Sequence, residues 1–307
     1  MKTGKFSRRS ALAAGLSGLL LPQIAWPQPT ERELEGGIGG TGIVGVLTEF
    51  GSLIVSGNRV QTDGQTRFSD GFGVMAQSDL RVGDSLTVEA AGPKEALVAR
   101  RVHVTYPLVG TISGLSQTGG LTVNGVSVRA PGGWAGLSVG DRVAVSGLWR
   151  GQEVIASRIA PTERTDDLIS GDVAQAFTSI RVGPVRLRGR GIAGLPDGSF
   201  ASATGQFDPE SGRFRVTDLT NTRFVGAAGA LTRLSIEGFL APTRAAPGYR
   251  ISGLGHSFER RLDLSPYAQG RVLFNGGYTG RFAAETALVL PAGRSERRRV
   301  LRNLAAG

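Results

Sequence analysis

Apolar and polar residues alternate with a period of two along most of the chain beyond residue 42. Leu121, Val123, Val126 and Val128 stand among polar neighbours, and Val143, Val145 and Gly147 alternate with Arg142, Ala144 and Ser146. That period puts one set of side chains on a buried face and the other in water, the pattern of a half-buried β-strand. Turn signals interrupt it at short intervals: Asp63-Gly64, Asp70-Gly71, Asn124-Gly125, Asp197-Gly198 and the run Asp208–Gly212. No stretch of 12 or more residues with helical periodicity follows residue 30. The pattern predicts an all-β chain.

The strands repeat. Leu80-Arg81-Val82-Gly83-Asp84-Ser85-Leu86-Thr87-Val88 aligns with Leu137-Ser138-Val139-Gly140-Asp141-Arg142-Val143-Ala144-Val145 at an offset of 57. The same offset sets Val98–Val102 on Ile155–Ile159, and Leu53–Gly57 matches Leu121–Gly125. A fainter third copy aligns Ile180-Arg181-Val182 with Leu121-Thr122-Val123, and Ala203–Phe207 with Val145–Trp149. The faintest copy is Val272–Tyr278, and an aromatic residue recurs at one place in the last three: Trp149, Phe207 and Tyr278. The Val-Gly-Asp step reads as a turn that launches a strand. Glycine there takes positive φ and the aspartate caps neighbouring backbone, which leaves it no catalytic task.

A unit of this length holds five or six short strands, the content of a small barrel, and closure removes exposed edges. The expected organisation is an export signal (1–27), a flexible glycine-rich lead-in (28–42), β-barrel units at 43–105, 106–162 and 167–224, a diverged β unit (230–291) and a basic tail (292–307) that is loose or a short helix. This makes three tandem barrels, and four if the last unit is a true copy. Gly37–Gly45, Phe50–Gly57 and Leu80–Asp84 resemble a bacterial envelope family known as domain of unknown function 5666, over about residues 38–162. The resemblance implies exported, OB-like barrels in tandem. It implies no substrate, cofactor or catalytic residue.

Charge changes the picture less than its total suggests. The net charge is +10, but residues 1–30 carry +4 with no acid and residues 293–307 carry another +4. A body near neutrality is a poor trap for phosphate backbones, so nucleic acid is a disfavoured partner. Ser7-Arg8-Arg9-Ser10-Ala11-Leu12, ahead of the apolar run 11–21, resembles a twin-arginine export signal. Eleven residues at about 1.5 Å each cannot span a bilayer core of about 30 Å. Cleavage near Ala25 would release a periplasmic or secreted protein. Gln23 fits the cleavage site poorly, so an uncleaved inner-membrane anchor is the alternative. The arginines of 294–302 offer peripheral contact with anionic lipid.

Cysteine is absent and there are two histidines, His103 and His256. Thiolate metal sites, redox dithiols and disulfides are excluded. Gly37–Gly42 fits a dinucleotide fingerprint in letters only, because a strand rather than a helix follows. Asp166, Asp167 and Asp172 lack the spaced loop of a calcium site. His256, with Ser257 beside it and Glu259 near, offers the residue types of a hydrolytic site, but neighbours on a strand point to opposite faces, which disfavours it. No cofactor, metal or catalytic residue is assigned. The ligand-binding candidates are Trp134, flanked by glycines, and Trp149 with Arg150, because OB-type barrels bind polymers by stacking and cationic contact. For Trp149 a competing reading, shared with Phe207 and Tyr278, is a plug in its own barrel core. The expected function is a non-enzymatic binding or scaffold protein of the cell envelope, with a protein or polysaccharide partner. The alternatives are an OB-like binder of oligosaccharide or nucleic acid, then an enzyme with an unrecognised site.

Overall fold

A computed structural model describes residues 39–307 apart from 118, 177–178, 245–247 and 255–261. The expected export signal, the start of the lead-in, and His256 lie outside the described residues.

The fold is predominantly β, and its strand pairings close on themselves. The first ring contains β1 (Gly40–Glu49), β2 (Leu53–Val55) and β3 (Asn58–Gln61). β4 (Arg67–Asp70) and β5 (Gly73–Val74) precede its last two members, β6 (Ser85–Ala91) and β7 (Leu97–Val104). β1–β2 and β2–β3 pair antiparallel, β3–β7 pair parallel, and β7–β6 and β6–β1 return to the start. β4 and β5 extend from β7.

The second ring repeats that order with β8 (Leu108–Leu115), β9 (Gly120–Val123), β10 (Val126–Arg129), β11 (Arg142–Arg150) and β12 (Glu153–Pro161). The third repeats it with β13 (Asp167–Ala176), β14 (Ser179–Val182), β15 (Val185–Arg188), β16 (Phe200–Asp208) and β17 (Arg213–Thr220). β8 also pairs with β13, so the second and third rings share a sheet.

The last segment is different. β18 (Leu231–Pro242) pairs with β19 (Tyr249–Ile251) and β20 (Arg271–Tyr278), and β20 pairs with β21 (Phe282–Leu290). Among the described residues nothing pairs β21 back to β19. The segment is an open ladder, and β18 runs parallel to β1 of the first ring. β1 also takes in Gly40, Thr41 and Gly42, which the sequence assigned to a flexible lead-in. A Cβ at Gly42 would stand 2.6 Å from Leu234 and 2.8 Å from the Phe224 ring, so glycine there permits close strand approach.

Two local devices explain the repeats. Ser56-Gly57 and Asn124-Gly125 have positive φ at both positions (51° and 71°; 49° and 72°), the tight hairpin turn whose twist suits antiparallel strands. Gly147, Gly205 and Gly276 each sit at a register shift, where a Cβ would run into the carbonyl oxygen of Ile155, Arg215 or Ala283 on the paired strand. A bulge needs that glycine, and the aromatic residue follows two places on.

The basic tail is a helix, α1 (Arg294–Ala306). Leu301 is fully buried against Leu273 and Leu290, which stabilises the docked helix by about 1.5–3 kcal/mol. Arg298 Nε donates to the Thr48 carbonyl at 2.8 Å and ties the helix to β1. No helix among the described residues is long and apolar enough to cross a membrane.

Candidate functional site

Successive residues of a strand point to opposite faces, and the end of β11 shows the consequence. Trp149 points into the core and Arg150 points out, its guanidinium 5.9 Å from the centre of the Phe239 ring. Arg150 lines a cleft of about 1150 Å³ between the first two barrels, the open ladder and α1. That exceeds the roughly 300–1,000 Å³ of pockets for single small ligands.

Seven arginines and one carboxylate, Glu237, line this cleft. The second barrel contributes Arg129 and Arg150, and β20 contributes Arg271. Helix α1 contributes Arg294, Arg297, Arg298 and Arg302, whose three- and four-residue spacing puts them on one face. Leu301 anchors the neighbouring face and fixes their direction.

Of the carboxylates nearby, Glu237 and Glu153 are hydrogen-bonded to arginines, and Glu49 Oε2 makes no hydrogen bond among the described residues. Glu237 accepts Arg271 Nε at 2.8 Å on one oxygen and the Val46 N–H at 3.1 Å on the other. Glu153 pairs with Arg129 at 3.2 Å, and Glu49 lies 3.8 Å from Arg302. Arg150, Arg294, Arg297 and Arg298 have no ion pair among the described residues. Arg297 donates to the carbonyls of Pro291 and Ala292 at 2.9 and 3.0 Å. Burial, then repulsion from Arg271 and Arg294, hold its pKa down to about 10, with Glu237 opposing. Cations crowded at a partly enclosed surface focus a positive field and raise the local concentration of anions.

The structure places the other candidates elsewhere. Trp149 is 5% exposed, and its Nε1–H donates to the Ser170 carbonyl at 2.7 Å. Its ring lies so close to Gly171, Gly183 and Gly253 that a Cβ at any of them would collide with it. Trp149 therefore presents no face for stacking; it is a core residue joining the second barrel to its neighbours. Trp134 is half-buried against the shared core of the second and third barrels, while Pro131 and Gly132 of its loop reach the cleft. His103 lies away from the cleft, with Nδ1 2.9 Å from Ser69 Oγ. Asp167 holds Arg142 and the Phe207 N–H, and Asp172 holds Arg250 and the Gly253 N–H. No cluster of three metal-ligating side chains occurs among the described residues. Asp84 and Asp141 cap their turns by accepting the Arg81 and Ser138 N–H groups.

Sequence reasoning found Arg150 and the basic tail separately and missed that they meet. The available signal was the regular spacing of Arg294, Arg298 and Arg302. No curated protein and no solved structure matches the chain. Residues 41–103, which span the first barrel, match the family described as "Domain of unknown function (DUF5666)".

Proposed function

We propose that this chain is a non-enzymatic binding protein of the bacterial cell envelope that holds an acidic polysaccharide in the arginine-lined cleft. The observation that carries the proposal is the convergence of seven arginines on one cleft, four of them without an ion pair among the described residues. Leaving such charges together costs self-repulsion, and an anionic ligand offsets that cost. A large, partly open cleft suits a polymer segment with repeated carboxylates better than one compact anion. Arginine suits planar carboxylates, because its fork of N–H donors bonds both oxygens.

Each of the three rings has the connectivity of an OB-like barrel, in which the third strand closes in parallel against the fifth. The twin-arginine-like segment would export the chain folded, where envelope polysaccharide is at hand and nucleic acid is scarce.

The test is calorimetric titration of the full chain with polygalacturonate, neutral dextran and single-stranded DNA, at low and near-physiological salt. Saturable binding of polygalacturonate that weakens with salt, is absent for dextran, and is lost in an Arg294→Glu, Arg298→Glu variant supports the proposal. Silence toward polygalacturonate at low salt discards it. Tighter binding of DNA would reassign the cleft to nucleic acid.

A further inference from the structure

A second pocket, of about 110 Å³, lies between the first and third barrels, away from the arginine cleft. One water needs roughly 10–15 Å³ of such space, so this pocket accepts several waters or one small solute.

One wall is the outer face of β16 and β17. Ser202 stands opposite Thr220 and Thr204 opposite Asp218 in the antiparallel register. The intervening Ala201 and Ala203 are fully buried, so the four polar residues face outward together. Thr222 continues the wall. These five side chains make no hydrogen bond with any described residue, although hydroxyl and carboxylate groups bond readily wherever a partner is placed.

The facing wall is already committed. Arg101 pairs with Glu89 at 3.4 Å and donates to the Arg223 carbonyl at 3.1 Å. Arg223 is spent on the carbonyls of Leu254 and Gly253 and on Thr87 Oγ1, with its guanidinium 4.1 Å from the centre of the Phe200 ring. Asp70 accepts the Phe72 N–H at 2.8 Å and lies 3.6 Å from Arg164. His103 bonds Ser69 through Nδ1, and its Nε2 has no partner among the described residues. Burial, then Arg101 and Arg223, push its pKa down to about 3, so the imidazole is neutral at physiological pH.

Asp218 and Arg223 are the pocket's two charges without an ion pair among the described residues, and their opposite signs leave it favouring neither anions nor cations. Four hydroxyls and a neutral imidazole can each donate or accept. We infer that this pocket binds an uncharged, hydroxyl-rich ligand, one sugar ring, with adjacent hydroxyls on Asp218 and the Ser202–Thr204 edge. The inference stands apart from the polymer cleft, which shares no residue with this pocket.

The test is saturation-transfer NMR and calorimetry on the full chain with the methyl glycosides of glucose, galactose, mannose and N-acetylglucosamine. Saturable binding of at least one is expected, insensitive to salt because the ligand is neutral. Asp218→Ala should weaken it about tenfold or more, as should Thr204→Val together with Ser202→Ala. The Arg294→Glu, Arg298→Glu variant should leave it unchanged. Asp218 is exposed, so its replacement leaves the fold intact, checked by an unchanged melting midpoint. Failure of every glycoside to saturate overturns the inference. Binding that survives both sets of pocket substitutions, or that disappears with the cleft arginines, overturns it as well.

Discussion

Arg158 of the second barrel reaches Asp84 of the first, Nη1 to Oδ1 at 2.9 Å, while the other oxygen of Asp84 accepts the Arg81 N–H at 2.7 Å. Asp141 holds the equivalent place in the next repeat and caps Ser138 at 2.8 Å, with no ion pair among the described residues. The two aspartates thus separate a cap from a cap plus an inter-barrel bond. Asp84 is 2% exposed, and its removal leaves the partly exposed Arg158 without its ion pair. Asp141→Ala should cost about 1 kcal/mol, the worth of a cap. Asp84→Ala should cost about 2–4 kcal/mol, below the full penalty of a broken buried pair because Arg158 is partly exposed. Urea unfolding followed by tryptophan fluorescence checks this, and equal losses would refute the inter-barrel role.

Trp149 makes a second comparison. Trp149→Phe keeps most of the apolar volume and loses the hydrogen bond to Ser170. It should cost about 1–3 kcal/mol, the penalty for an unpaired buried carbonyl and a smaller ring. Affinity for polygalacturonate should not change, because the ring is buried beneath Arg150 rather than in the cleft. A marked loss of affinity at unchanged stability would restore Trp149 as a ligand contact.

Much of this fold was legible because its repeats are local. Ser56-Gly57 and Asn124-Gly125 mark hairpins by residue type, and Gly147, Gly205 and Gly276 mark bulges that place an aromatic two residues later. Such signals depend only on backbone geometry. The open end of the last ladder was not legible, because β18 pairs with β1 across nearly two hundred residues of sequence. The cleft was hidden for the same reason. Arg129, Arg150, Arg271 and Arg294 come from distant segments, and only the docking of Leu301 turns a basic tail into a wall. Segment by segment, the sequence offers Arg150 as a ligand contact and the tail arginines as a peripheral lipid contact, and it does not single out Arg129 or Arg271.

His103 ties stability to acid. Its pKa falls from an ordinary 6.5 to about 3 in the folded chain. Between those values the unfolded chain binds a proton that the folded chain refuses. Stability from this residue is complete above about pH 6.5 and is lost as pH falls toward about 3, with a slope of at most about 1.4 kcal/mol per pH unit. Asp172, whose carboxyl is raised by burial, contributes with the opposite sign. The clean measurement is the difference between wild type and His103→Gln in urea unfolding from pH 7 to pH 4. The difference should shrink as pH falls; a constant difference would show that His103 titrates normally.

The cleft arginines should act through charge at one place, and a control elsewhere can show it. Arg150 and Arg294 come from different elements, line the cleft, and have no ion pair among the described residues. Replacing either by glutamine removes one positive charge and little packing. At about 1 kcal/mol per arginine near an anionic partner, each change should weaken polygalacturonate binding about fivefold. The salt dependence should become shallower, because fewer counterions are displaced on binding. Arg186, exposed on β15 of the third barrel, lies outside the cleft. Arg186→Gln lowers the net charge by the same amount and should leave affinity and salt slope unchanged. Equal losses at all three positions would mean that overall basicity attracts the polymer, and the cleft would lose its claim as the site.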